Sequence, residues 1–240
     1  MMAVEQSPKR MQKAWDREYT TVHAYTTSYR LDLDRGIEFL LAYHKEHDEL
    51  VREPILDLGC GLGRNALPLA RDGHTVIALD HSRAALDKLQ ESVNAEELGT
   101  RLVGFQHDLG EPLPLPSASI GTAIDITAVD NLVDSDRRRR YGREVGRVLK
   151  PGGVFVVVTF AIDDGYYSRF LKTSEYADEG IVEDPNTGIQ NQLFTHATLE
   201  AVFSPPLVRQ VAEDLVFVDE AAEERWERRF LLQLYRQPRA

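Results

Sequence analysis

Hydrophobic residues in this chain switch between short unbroken runs and a helical rhythm. "PILDLG" (54–59), "TVIALD" (75–80), "LVGFQHDL" (102–109), "IGTAIDI" (120–126) and "VFVVVTF" (154–160) are runs of strand length and predict buried strands. Between them lie segments with helical spacing. "RNALPLARDG" predicts a helix with Pro68 near its start and Gly73 as its stop. "SRAALDKLQESVNAEELG" predicts a second, capped by Ser82, and a long third runs from about Asp134 to Leu149. "TLEAVFSP" predicts a further helix, and "VRQVAEDLVFVD" and "RRFLLQLYRQ" predict two closing strands.

Strand alternating with helix is the pattern of a parallel sheet covered on both faces. The expected fold is α/β: a doubly wound, mostly parallel sheet of seven strands with an antiparallel C-terminal strand. Residues 1–52 form a helical cap in this reading: a polar, mobile start to about residue 14, then two helices over 15–52. The α/β domain spans 53–240. The polar, aromatic-bearing run at about 163–192 is a lid-like insertion.

Charge and composition narrow the function. The 240 residues carry 28 Lys and Arg against 39 Asp and Glu, a formal charge of −11. A non-specific nucleic-acid binder normally carries the opposite sign, so the expected partner is a small molecule and not nucleic acid. Arginines 137–140 are flanked by acids and read as the solvated face of a helix. No apolar run reaches membrane-spanning length, and the N-terminus lacks the apolar core of a signal peptide, so no membrane association is expected. Cys60 is the single cysteine, which fits a reducing cytoplasm; between two glycines it reads as a small residue in a tight turn. His44 and His47 beside Glu46 have ligand-like spacing but read as a solvated helix face, and no metal is expected. A monomer or homodimer is the expected assembly.

Three alternate glycines, Gly59, Gly61 and Gly63, follow the first strand. In open parallel sheets ligands bind at the carboxyl ends of the strands, and glycine lets backbone approach a ligand closely. The frame Gly61 to Ala66 fits the dinucleotide pattern, with Asp80 ending the next strand, so an NAD(P)-dependent oxidoreductase is one reading. It lacks a Tyr-x-x-x-Lys pair after strand four. The frame Asp57-Leu58-Gly59-Cys60-Gly61-Leu62-Gly63 is joined by Asp80, by Asp108-Leu109 after strand three, and by "LKPGG" before strand five. Together these resemble the Rossmann-like, class I S-adenosylmethionine-dependent methyltransferases over residues 50–160. The stretch 57–80 resembles the small-molecule branch that includes tellurite-resistance and thiol methyltransferases.

That resemblance implies S-adenosylmethionine as cofactor and S-adenosylhomocysteine as product. It gives Asp80 the ribose hydroxyls, Asp108 the adenine amine and the Leu109 amide a ring nitrogen. Gly59, Cys60, Gly61 and Gly63 pass under the methionine part, Asp57 holds its amino group or braces the loop, and His81 lies along the adenosine. Transfer would be an in-line displacement onto a small-molecule acceptor. A non-catalytic, cofactor-binding partner protein is the other alternative.

On the acceptor side, strand four's end brings Asp125 and Asp130, as base, substrate contact or helix cap, with Asp125 also near the sulfonium. Gly121 stands where the family's usual strand-four acid would be. His196 is a further candidate base. Trp15, Tyr19, Tyr25 and Tyr29 from the cap, and Tyr166 and Tyr167 with Phe170 from the insertion, are candidates to cover the acceptor or to pack.

Overall fold

In the computed structural model, residues 8–21, 33–47, 51–221 and 224–239 are described. The elements run α1 (Pro8–Thr20), α2 (Arg35–Glu46), β1 (Ile55–Leu58), α3 (Ala66–Arg71), β2 (Val76–Asp80), α4 (Arg83–Ala95), β3 (Leu102–Gln106), β4 (Ile120–Ile126), α5 (Ser135–Val148) and β5 (Leu149–Phe160). They continue as α6 (Ser168–Leu171), β6 (Ile181–Glu183), β7 (Gln190–Gln192), α7 (His196–Phe203), β8 (Val208–Ala221) and β9 (Glu224–Arg236).

Seven strands form one sheet in the order β3-β2-β1-β4-β5-β9-β8. β3, β2, β1, β4 and β5 are mutually parallel, and β9 runs antiparallel to both β5 and β8. The fold is the expected one. Strand order reverses between β1 and β4, so a crevice opens beyond Leu58 and Ile126.

The pleat sorts side chains between two cores. Leu56, Leu58, Ala123, Phe155 and Val157 face α5 and α7, where Tyr141, Val145 and Phe203 are buried. Ile55, Ile124, Val154, Val156 and Val158 face α2, α3 and α4 through Ile37, Leu40, Leu67 and Leu89. The same alternation sends Asp57 toward α3 and Asp125 toward α5.

Helix ends follow local chemistry. The Asp34, Ser82 and Asp134 side chains each accept from amides of the first turn of α2, α4 and α5. Four sequence expectations change. The N-terminal helix begins at Pro8, inside the stretch read as mobile, because proline suits the first helical position. β3 stops at Gln106, leaving Asp108 and Leu109 in the loop beyond it. His44 is buried on α2, not on a solvated face. Arg137 and Arg138 are not solvated: Arg137 pairs with Asp108 and Arg138 donates to the Leu132 carbonyl. No helix among the described residues is long and apolar enough to cross a membrane.

The insertion between β5 and α7 carries the two-stranded ribbon β6–β7. α1 docks on it: Arg10 pairs with Glu183 at 2.9 Å, Arg17 donates to the Thr187 carbonyl, and Met11 and Ala14 pack with Ile189. The other side of α1 is tied to α4, where Asp16 accepts from the Ser82 hydroxyl at 2.6 Å and from the Ala84 amide. Helix α1 therefore bridges the crevice.

Candidate active site

The cavity under α1 starts at the glycine loop. Gly59, Gly61 and Gly63 have φ of +77°, +52° and +88°, which side chains rarely tolerate. A Cβ on Gly61 would stand 2.7 Å from the Tyr19 hydroxyl, and one on Gly59 would stand 2.4 Å from the Ala128 Cβ. Gly59, Cys60 and Gly61 line the cavity. Gly63 does not; its missing Cβ makes room for Leu89 and Leu67.

Asp80, at the end of β2, lines the cavity and is 6% exposed. Its carboxylate accepts from the Gly61 amide at 2.8 Å and the Ser82 amide at 2.7 Å. A carboxylate has about four acceptor sites, so two remain for a ligand's hydroxyls. His81, Asp108 and Leu109 continue this wall. Asp108 accepts from the Gly110 amide and pairs with Arg137, which lines the wall beside it. A backbone strip without side chains and a carboxylate with free lone pairs fit a ribose-bearing, phosphate-free cofactor such as S-adenosylmethionine.

Asp57 lies behind this loop and not on the cavity. Burial, then the charges of Asp80 and Asp125, push its carboxyl up to about 8, and its Oδ2 has no hydrogen-bond partner among the described residues. Cys60 is buried, and burial with the nearby Asp80 and Asp57 charges pushes its thiol well up, which keeps it un-ionised.

Two acids and a histidine were expected on the acceptor side or near the sulfonium, and the structure separates them. Asp125 is fully buried facing α5, with Oδ1 accepting from the Ala128 and Val129 amides and Oδ2 from the Tyr141 hydroxyl at 2.6 Å. Burial raises it to about 6 against those hydrogen bonds, and it does not reach the cavity. His196 caps no crevice either: its ring meets Asp214 at 3.0 Å and Gln233 at 3.0 Å. Asp130 does line the cavity, 1% exposed, on the turn Val129–Asn131. The cap of the next helix is Asp134, four residues on, not Asp130. Burial, then the Asp125 charge, pushes Asp130 up to about 8, while the Thr159 hydroxyl donates to it at 3.1 Å.

Trp15, Tyr19, Tyr166 and Tyr167 all line the cavity; Tyr25 and Tyr29 lie outside the described residues. Trp15 and Tyr19 stack at 5.5 Å under α1. Residues not anticipated from the sequence complete the far end: Asn131, Phe160, Asp184, Asn191, Arg228 and Phe230. One of them left a signal. Arg228 occupies the same strand phase as Phe230, Leu232 and Leu234, an arginine on an inward face.

Residues 55–153 match the family model described as "Methyltransferase domain". Among curated proteins, the chain is 30% identical over 176 residues to methyltransferase GfsG of Streptomyces halstedii, covering 71% of this chain and 56% of that one. It is 28% identical over 157 residues to a tRNA N(3)-cytidine methyltransferase of Danio rerio, covering 62% and 43%. The chain thus spans about half the length of the curated relatives it matches. In fold it is similar to an S-adenosylmethionine-dependent methyltransferase of Methanosarcina mazei, with TM-score 0.71, 21% identity, and coverage of 88% and 100%. Sheet order and these matches agree: residues 55–153 match a methyltransferase domain, and the seven-stranded sheet has the Rossmann-like fold of S-adenosylmethionine-dependent methyltransferases.

Proposed function

We propose that the chain transfers a methyl group from S-adenosylmethionine to a small molecule held between the glycine loop and the β6–β7 ribbon. The supporting observation is the continuity of one cavity from Gly61 and Asp80, beneath α1, to the compartment walled by Asp130, Tyr167 and Arg228. When bound, the cofactor supplies a methyl on a sulfonium with a neutral leaving group. The protein's part is to orient the acceptor and exclude water. Asp80 accepts from the ribose hydroxyls, and Asp108 with the Leu109 amide meets the adenine. Trp15 and Tyr19 roof the chamber.

In this reading Asp130 takes a proton from the acceptor through the fraction of it that is ionised as pH approaches 8. A carboxyl raised toward 8 has basicity closer to that task than an ordinary aspartate. The Arg64-Asn65 step, part of the resemblance to thiol methyltransferases, fastens the cap: Arg64 pairs with Asp34 at 3.0 Å and Asn65 accepts from the Asp34 amide. Thiols therefore belong among the acceptors to be tried. A bridging helix over the cavity and a formal charge of −11 favour a small acceptor over RNA, although relatives include tRNA methyltransferases.

The test begins with calorimetric titration of S-adenosylmethionine, S-adenosylhomocysteine, NAD and NADP. Binding of the first two alone is expected; binding of a nicotinamide nucleotide instead would overturn the reading. Methyl-tritiated cofactor is then supplied with bulk tRNA or with pooled thiols, amines and carboxylic acids. Label in the small-molecule fraction is expected, and label confined to RNA would refute the acceptor class.

A further inference from the structure

Arg228 is a buried cation at the far end of the cavity, 4% exposed. β9 pairs with β5 only as far as Phe230 opposite Phe160, so Arg228 sits on the part that overhangs the end of the parallel strands. Its Nε donates to Asp164 Oδ2 at 2.9 Å. Asp164 is already committed: Oδ1 accepts from the Tyr166 and Tyr167 amides, and Oδ2 also accepts from the Arg229 amide. Arg228 Nη2 is buried and has no hydrogen-bond partner among the described residues. The rings of Phe160, Tyr166, Tyr167 and Phe230 surround its Cζ at 5.0–5.6 Å. Rings attract a cation but do not replace a strong acceptor. A buried charged donor left unmade is costly, and its retention points to a ligand.

A second orphan belongs to Asn191, which lines the same cavity. The Trp15 indole can only donate, and it donates to Asn131 Oδ1 at 3.0 Å. That orients the amide so that Asn131 Nδ2 donates to Asn191 Oδ1 at 2.9 Å. Asn191 must then present its own Nδ2 elsewhere, and this atom is buried without a hydrogen-bond partner among the described residues. The relay from α1 through the Val129–Asn131 turn to β7 thus ends in an unused donor on the cavity wall.

We propose that the acceptor is an apolar or aromatic carboxylic acid whose carboxylate is bound by Arg228, with the Asn191 amide donating to an oxygen of the same molecule. The inference rests on the methyltransferase reading of the cavity. A monoanion suits the charge balance better than a phosphate. Arg228 already pairs with Asp164 through Nε, and Asp184 and Asp130 line the same cavity. The aromatic walls supply the surface for the apolar body, and Tyr166 is held in place by donating to Asp184 at 3.0 Å.

The test uses the full chain with saturating S-adenosylhomocysteine and four matched probes: benzoate, phenylacetate, cinnamate and indole-3-acetate, each with its neutral amide, plus phenyl phosphate. Binding is followed by calorimetry and by tryptophan fluorescence, to which Trp15 and Trp226 both contribute. At least one acid is expected to bind about 10- to 100-fold tighter than its amide, the range of a charged hydrogen bond. Arg228→Gln is expected to erase that preference while leaving S-adenosylhomocysteine affinity unchanged, and Asn191→Ala to weaken acid and amide alike. Acids binding no better than amides in the unmodified protein would overturn the proposal without any variant. Preference for phenyl phosphate would overturn the carboxylate assignment. Loss of S-adenosylhomocysteine binding in the unmodified protein would instead strike the methyltransferase reading.

Discussion

Asp130→Asn tests the electrostatics of the cavity directly. The carboxyl is buried and its pKa is pushed up to about 8, against about 3.9 in an unfolded chain. Between those values the folded protein keeps a proton that the unfolded chain has released. Stability from this group therefore falls as pH rises from about 4 to about 8 and then levels off. Over pH 6 to 9, a folded value near 8 makes the loss roughly 3 kcal/mol. Asparagine has the shape of the protonated acid and cannot ionise. Below about pH 4, where both states of the parent hold the proton, the variant should be within about 1 kcal/mol of the parent, the scale of one altered hydrogen bond to Thr159 or Asn131. At pH 6, where the parent's unfolded chain has already ionised, the variant should be the more stable by roughly 3 kcal/mol. By pH 9 that lead should have grown by roughly 3 kcal/mol more. Urea unfolding followed by far-UV circular dichroism at pH 6, 7, 8 and 9 measures both. Asp57 titrates in the same window, so the variant keeps part of the slope. Parallel stability curves for parent and variant would refute the argument, because they would mean that Asp130 is ionised throughout.

Three further outcomes follow from the same geometry. Asp80→Asn should weaken S-adenosylhomocysteine binding by about 1.5–3 kcal/mol, the range for hydrogen bonds to a charged group, and unchanged calorimetric affinity would remove Asp80 from the ribose role. Gly59→Ala combines a left-handed backbone cost of about 1–2 kcal/mol with an overpacking cost of about 1–3 kcal/mol against Ala128, whereas Gly73→Ala, with φ of +94° and nothing within 4 Å, incurs the backbone cost alone; equal denaturation midpoints would contradict this ranking. His196→Ala should leave turnover and cofactor affinity unchanged, since its ring is engaged by Asp214 and Gln233 outside the cavity, and a large loss of turnover would restore it to the chemistry.

The glycine-loop wall of the cavity was legible in the sequence because the information is local. A strand ending in alternate glycines, an acid ending the next strand, and an Asp-Leu step after the third each lie within a few residues of the backbone they shape. Periodicity marked the strands and most helices for the same reason, and the alternation of strand and helix carried the parallel sheet. The acceptor half was not legible. Asp125 and Asp130 are five residues apart in sequence, yet the pleat turns Asp125 into the α5 layer while the turn after β4 swings Asp130 into the cavity. The arginine cluster read as solvated holds Arg137 in the cleft, because Asp108 meets it from the loop beyond β3. Arg228 reaches the cavity only because β9 overruns β5, and Asn191 only because α1 and the β6–β7 ribbon close over one another. Register and docking are sums of many contacts distant along the chain, so no short window of residues contains them. Local backbone chemistry determined the glycine loop and the acid beside it; tertiary packing alone decided which other charges face the cavity.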